Sequence, residues 1–162
     1  VASALLQFQG AEGRFTRTGF FNGAQVIIDY AHHPSAIEVT IDAAKHIPAK
    51  KLWICFQPLT HSRVRGFFDE FVEALRHEDL IMMSEIYDDR ERDSSISSKD
   101  IVDRINDLGG NAEYYPTNEA LETHLRTILE PGDLLLIMGV DLRDVGDNLT
   151  GRHDHMKEVK KF

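Results

Sequence analysis

Val26-Ile27-Ile28-Asp29-Tyr30-Ala31-His32-His33-Pro34 is the stretch on which the reading of this chain turns. Three branched apolar residues predict a buried strand. An acid, a phenol and two imidazoles stand at its end. Pro34 then takes the backbone out of the sheet and suits the first turn of a helix, whose pattern begins with Ser35-Ala36-Ile37-Glu38. Open α/β sheets place ligands where a strand hands polar side chains to a following helix, so this edge is the expected functional edge.

The bulk properties narrow the class. At 162 residues, with 28% charged and 42% apolar residues, the chain is expected to form one soluble domain with a proper core. A formal net charge of −9 argues against general affinity for nucleic acid or anionic membrane. The longest apolar run, Leu134 to Met138, suits a buried strand and is far shorter than a membrane span. No basic-then-apolar start resembles a signal peptide. The lone Cys55 lies in an apolar run and reads as a buried thiol, which fits a reducing cytoplasm. The chain opens on Val1 rather than Met, so the expectation is a piece of something longer.

Outward from the key stretch, the pattern alternates. Residues 1–13 read as a linker or the end of a preceding segment, 14–150 as the domain, and 151–162 as a charged tail. Arg14 to Phe21, Asn22-Gly23 and the following strand predict an opening antiparallel hairpin. A helix with Ile37, Ile41 and Ala44 inward is stopped by Pro48. Leu52–Phe56 is the next strand, followed by a polar loop and a helical stripe of Phe67, Phe68, Phe71, Val72 and Leu75, read as core. Leu80–Met83 is a strand and Glu85–Asp93 a charged loop. Ser97 or Ser98 caps a helix carrying Ile101, Val102, Ile105 and Leu108, ended by Gly109-Gly110. A brief strand at Ala112–Tyr115 and a helix from about Thr117 to Leu129, with Leu121, Leu125 and Ile128 inward, lead through Pro131-Gly132-Asp133 to the last strand. The expected architecture is α/β: a Rossmann-like, three-layer domain with a mostly parallel sheet, helices on both faces and an N-terminal antiparallel hairpin.

Parallel strands would gather three segments on one rim: Asp29–His33, Gln57–Arg65 and Gly139–Asp144. They offer acids, imidazoles, hydroxyls and guanidinium groups, enough for a zwitterion or a nucleotide. Arg63 suits a two-pronged bond to a carboxylate or phosphate, although Arg63 and Arg65 are equally readable as surface charges flanking a helix. Adjacent histidines in extended backbone point apart and no third ligand is evident, so no metal site is expected. His32 reads equally as a ligand contact or a capping residue. The run Asp88-Asp89-Arg90-Glu91-Arg92-Asp93 reads as a solvated loop, and His153-Asp154-His155 as solvated tail. There is no nucleophile elbow, no dinucleotide fingerprint and no phosphate-gripping G-x-x-x-x-G-K-[ST].

Asp29-Tyr30-Ala31-His32-His33-Pro34 before a helix resembles the signature that opens the C-terminal domain of the Mur ligases, ATP-dependent amide-forming enzymes of peptidoglycan synthesis. The paired histidines and Phe56-Gln57-Pro58-x-Thr60-x-Ser62-Arg63 look most like the branch that joins L-alanine to UDP-N-acetylmuramate. Glu85-Ile86-Tyr87 with Arg90-Glu91, Ser97-Ser98-Lys99-Asp100 and Pro131-Gly132-Asp133-Leu134-Leu135-Leu136 extend the likeness from about Phe8 to Leu149. The resemblance implies ATP and Mg2+ held mainly by a central ATPase domain, with UDP-N-acetylmuramate on an N-terminal domain. The carboxylate is activated as an acyl phosphate and attacked by the amine of an amino acid. It implies His32, Arg63 and Thr60 on the amino-acid side, Arg63 clamping the α-carboxylate, with Tyr30 near the adenine and Asp29 near the ribose. It also implies a bacterial, cytoplasmic enzyme, with no nucleic acid or membrane partner, that is inactive without its other domains. The C-terminal domain would contribute orientation and water exclusion as it closes.

The chain also departs from that family. Leu59 replaces the histidine that usually follows Gln-Pro, His61 occupies a commonly aromatic position, and Gly13 stands where a basic residue commonly precedes Arg14-Phe15. Asp89 replaces a small residue, and Gly139-Val140-Asp141-Leu142 stands where Gly-Ala-Gly-Asp is usual, one residue short. Two alternatives stay open from the sequence. One is the muropeptide-recycling ligase, which shares Ala-His-His-Pro but typically has Glu-Pro-Arg-Ser where this chain has Gln57-Pro58-Leu59-Thr60. The other is a degenerate ligase domain kept as a binding module.

Overall fold

A computed structural model describes residues 14–90 and 95–152. The expected linker over 1–13, the end of the charged loop at 91–94 and the tail from 153 lie outside the described residues. Six strands form one sheet in the order β1-β2-β6-β3-β4-β5. β1 (Thr16–Phe21) and β2 (Ala24–Asp29) are the antiparallel hairpin. Its turn residues Asn22 and Gly23 both hold positive φ, at 48° and 78°, the pair of angles that suits the twist of a two-residue hairpin. β3 (Leu52–Phe56), β4 (Ile81–Ser84), β5 (Ala112–Tyr115) and β6 (Leu134–Met138) run parallel with β2.

Side-chain alternation sorts the helices onto two faces. Ile27, Ile54, Phe56, Leu134, Leu136 and Met138 pack in one layer with α1 (Pro34–Lys45), α2 (His61–Gly66), α3 (Phe68–Leu75) and α4 (Ser98–Asp107). Their neighbours Val26, Ile28, Cys55, Leu135 and Ile137 meet α5 (Asn118–Ile128) and α6 (Arg143–Thr150) on the other face. This is the three-layer α/β arrangement expected. Cys55 is fully buried, and burial raises its thiol pKa far above the ordinary range, so it is inert packing.

Four local expectations need correction. The stretch after β3 is not all loop, because α2 occupies His61–Gly66. Phe67 is not core: it is the N-cap of α3, 37% exposed, with its ring against His33. Leu108 is the exposed C-cap of α4 rather than an inward residue. The segment after β6 winds into α6, with Leu142, Val145 and Leu149 buried at helical spacing.

Candidate functional site

Register sets the rim. Asp29 pairs with Met138, and Met138 with Phe56, so β2, β6 and β3 end side by side. The chain crosses between them through Gly139 N–H to Asp29 O (3.2 Å) and Gln57 N–H to Met138 O (3.0 Å). Gly139 holds φ +129°, and a Cβ there would sit 2.8 Å from Gln57 O, so only glycine permits this approach. All three segments singled out in the sequence therefore stand on one edge.

The first segment lines a crevice of about 470 Å³ with Arg14, Asp29, Tyr30, His32, Val39 and Thr40 among its walls. Asp29 is only 8% exposed. Its Oδ2 accepts from Phe15 N–H (2.7 Å), and its Oδ1 from Ala31 N–H (2.7 Å) and the Thr40 hydroxyl (3.4 Å). The carboxylate thus ties the start of β1 to the turn after β2 and to α1, leaving little of its accepting capacity for a ligand. Tyr30 is 49% exposed and meets His32 edge to face at 5.0 Å. His32 Nδ1 donates to Tyr30 O at 2.8 Å; since a carbonyl only accepts, this fixes the proton on Nδ1 and leaves Nε2 able to accept. His33 caps α1 through its backbone, and its Nδ1 lies 3.1 Å from the Ser35 hydroxyl.

The second segment passes through a strained residue. Thr60 has φ +61° and ψ 136° and precedes α2 without a side-chain cap. Arg63 follows in α2, with its Nη1 enclosed and without a hydrogen-bond partner among the described residues. Arg63 and Thr60 do not line the Tyr30–His32 crevice. The two segments meet instead through His33 and Phe67, whose ring centroids are 4.8 Å apart, and Phe67 N–H donates to Arg63 O at 3.0 Å.

A second, smaller crevice of about 290 Å³ opens between the loop after β4, the start of α5 and Asp141. Gln57 spans its floor, donating through Nε2 to Glu85 O (3.2 Å) and Asn118 Oδ1 (3.3 Å). Asp141 accepts from Asn118 Nδ2 at 2.9 Å, yet its pKa is raised, first by desolvation and then by repulsion from Asp144 and Glu119. Leu142, where the resemblance expected an acid, is fully buried beneath α6, so this loop presents Asp141 alone from its altered motif. Burial and Glu85, which accepts from the Tyr114 hydroxyl at 2.6 Å, push the Tyr114 pKa up to about 12.

Two residues at the rim were not singled out from the sequence. Arg14 supplies the first crevice with its cation; the only signal was its place beside Phe15. Asp88, read as part of a solvated charge run, has a side chain that is 0% exposed and bonds His61. Nothing in local sequence distinguishes it from Asp89.

Comparison with known proteins places this geometry. Residues 13–140 match the family described as Mur ligase, glutamate ligase domain. The chain belongs to that family. UDP-N-acetylmuramate–L-alanine ligases of Lachnospira eligens and Agathobacter rectalis are 41% and 40% identical over 151 residues, or 92% of this chain. The chain spans 33% of the length of each of these relatives. The crystal structure of a UDP-N-acetylmuramate-alanine ligase from Thermotoga maritima superposes with a TM-score of 0.72 at 26% identity, covering 98% of this chain and 33% of that one. A bifunctional folylpolyglutamate synthase/dihydrofolate synthase from Yersinia pestis shares the fold at TM-score 0.62 and 15% identity, covering 92% of this chain and 33% of that one.

Among the described residues, no group of three or more His, Cys, Asp or Glu side chains is placed to hold a metal ion. No described helix is long and apolar enough to cross a membrane.

Proposed function

We propose that residues 14–150 are the amino-acid-binding C-terminal domain of an ATP-dependent ligase that joins an amino acid, L-alanine by preference, to UDP-N-acetylmuramate in the bacterial cytoplasm. The observation that carries this reading is the shared rim: Tyr30 and His32 face one crevice, and Arg63 stands on the adjoining segment with an enclosed, unpaired guanidinium nitrogen. The aromatic face of Tyr30, the apolar Val39 and the Arg14 cation make the crevice fit one side of a nucleotide. ATP supplies the phosphoryl group that activates the carboxylate, and Mg2+ belongs with a phosphate-binding loop outside this sequence. Asp29 takes its part by fixing the backbone around Tyr30, since its oxygens already accept from Phe15, Ala31 and Thr40. On the amino-acid side, Arg63 and Thr60 hold the α-carboxylate. His32, with Nδ1 engaged by Tyr30 O, turns Nε2 to the ammonium. The domain itself makes no bond; it orients the amine and shields the site from water when it meets the central and UDP-sugar-binding domains.

The deciding experiment is steady-state kinetics of the full-length protein carrying Arg63→Ala. A charge-assisted bond contributes about 1.5–3 kcal/mol. The KM for alanine should therefore rise about 10- to 100-fold while the KM for ATP stays within about twofold. An effect confined to ATP contradicts the assignment.

A further inference from the structure

We infer that Asp88 is a positioning residue for Arg63, acting through His61 and the first turn of α2. The inference rests on the amino-acid role proposed for Arg63. α2 has only six residues, and it starts from Thr60, a non-glycine residue at φ +61°. Such a conformation persists only where its surroundings over-determine it. A helix this short does not fix its own orientation, so the direction of Arg63 depends on its anchors: the buried Val64 and Phe67 N–H to Arg63 O beyond it, and whatever holds residues 60 and 61 before it.

The loop after β4 holds them. Thr60 N–H donates to Tyr87 O at 3.0 Å, and Tyr87 N–H to Pro58 O at 2.9 Å, which extends the β3–β4 pairing past the strand ends. The Asp88 carboxylate then takes the start of the helix: its Oδ2 accepts from both His61 N–H (2.9 Å) and His61 Nδ1–H (3.0 Å). Its Oδ1 accepts from Arg90 N–H at 3.0 Å, which shapes the carboxylate's own loop. Thr60 offers α2 no side-chain cap, so an acid from another loop serves as one. The Asp88 side chain is fully enclosed, and an enclosed carboxylate is stable there only while such donors face it.

The consequence is distinct from general stability. Loosening His61 frees the first turn of α2, and a displacement of about 1 Å at a binding guanidinium costs on the order of a hundredfold. We expect Asp88→Ala and His61→Ala in the full-length protein to raise the alanine KM by about tenfold or more, with the ATP KM within about twofold. Asp88→Asn, which keeps one carbonyl acceptor for His61 N–H, should recover most of the loss. In an Arg63→Ala background, Asp88→Ala should add less than about twofold, because the two act on one contact. Multiplying effects of the two substitutions, or parallel rises in both KM values, would overturn the inference. Amide hydrogen exchange of the same proteins reads the latch without turnover: the amides of His61 and Val64 should exchange at least about tenfold faster in Asp88→Ala. Unchanged exchange overturns the inference whatever the activity. Faster exchange in a protein whose wild type shows no alanine-dependent ADP release upholds the latch and refutes the ligase reading.

Discussion

Asp29 shows how a residue can sit in the functional stretch and serve the backbone. Its two oxygens accept three hydrogen bonds at 8% exposure. Asp29→Ala would strand two main-chain donors at Phe15 and Ala31. It should lower unfolding stability by about 3 kcal/mol, measurable by urea denaturation. Asp141 carries the opposite sign. Its raised pKa means that ionisation is disfavoured in the folded state, so its contribution is fully favourable below its ordinary value of 3.8 and is lost as pH rises through the higher folded value. Asp141→Asn, which still accepts from Asn118, should therefore raise the Tm at neutral pH and leave it nearly unchanged near pH 3. The sequence named Asp29, Tyr30, His32 and Arg63 because their residue types stand out at a strand end and in a motif. It did not distinguish Asp88 from its neighbours in a charge run, because burial of a loop acid depends on a histidine 27 positions earlier.

At the scale of elements, the strands were legible and the helices α2 and α6 were not. β3 and β6 coincide with apolar runs, and Ser97 caps α4 with both halves of a capping box: its Oγ accepts from Lys99 N–H, and Asp100 Oδ2 accepts from Ser97 N–H. Ser97→Ala should cost about 1 kcal/mol by the same urea assay. α2 escaped notice because six residues with one buried side chain, Val64, show no period, and because its start depends on a left-handed threonine. Phe67 broke the apolar stripe for a related reason. The link between α2 and α3 turns its ring out to His33, a direct contact between two motifs that the sequence places on one rim without showing how they touch.

For the whole molecule, the sheet order explains why one rim collects the site and also why that rim is unfinished. β6 lies between β2 and β3, and its connections leave on the opposite face from theirs, a strand reversal at which open α/β sheets take ligands. The first crevice lies beside that point, between Arg14, the end of β2 and α1, and it is open to solvent, with Tyr30 49% and Val39 70% exposed. Nothing in the 162 residues has the glycine-rich, lysine-bearing loop that grips a triphosphate. On the proposed reading Tyr30 and Arg14 contact a nucleotide whose phosphates are gripped by a loop that this sequence does not contain. The 162-residue chain supplied with ATP, Mg2+, UDP-N-acetylmuramate and alanine should therefore release ADP at the rate of buffer alone, while the full-length protein turns over. Adding the remaining domains as a separate polypeptide should restore turnover only at high concentration, because joining the two pieces in one chain supplies an effective concentration on the order of millimolar. ADP release by the 162-residue chain alone would place the phosphate-handling groups on this rim and displace Tyr30 and Arg14 from the supporting role given to them here.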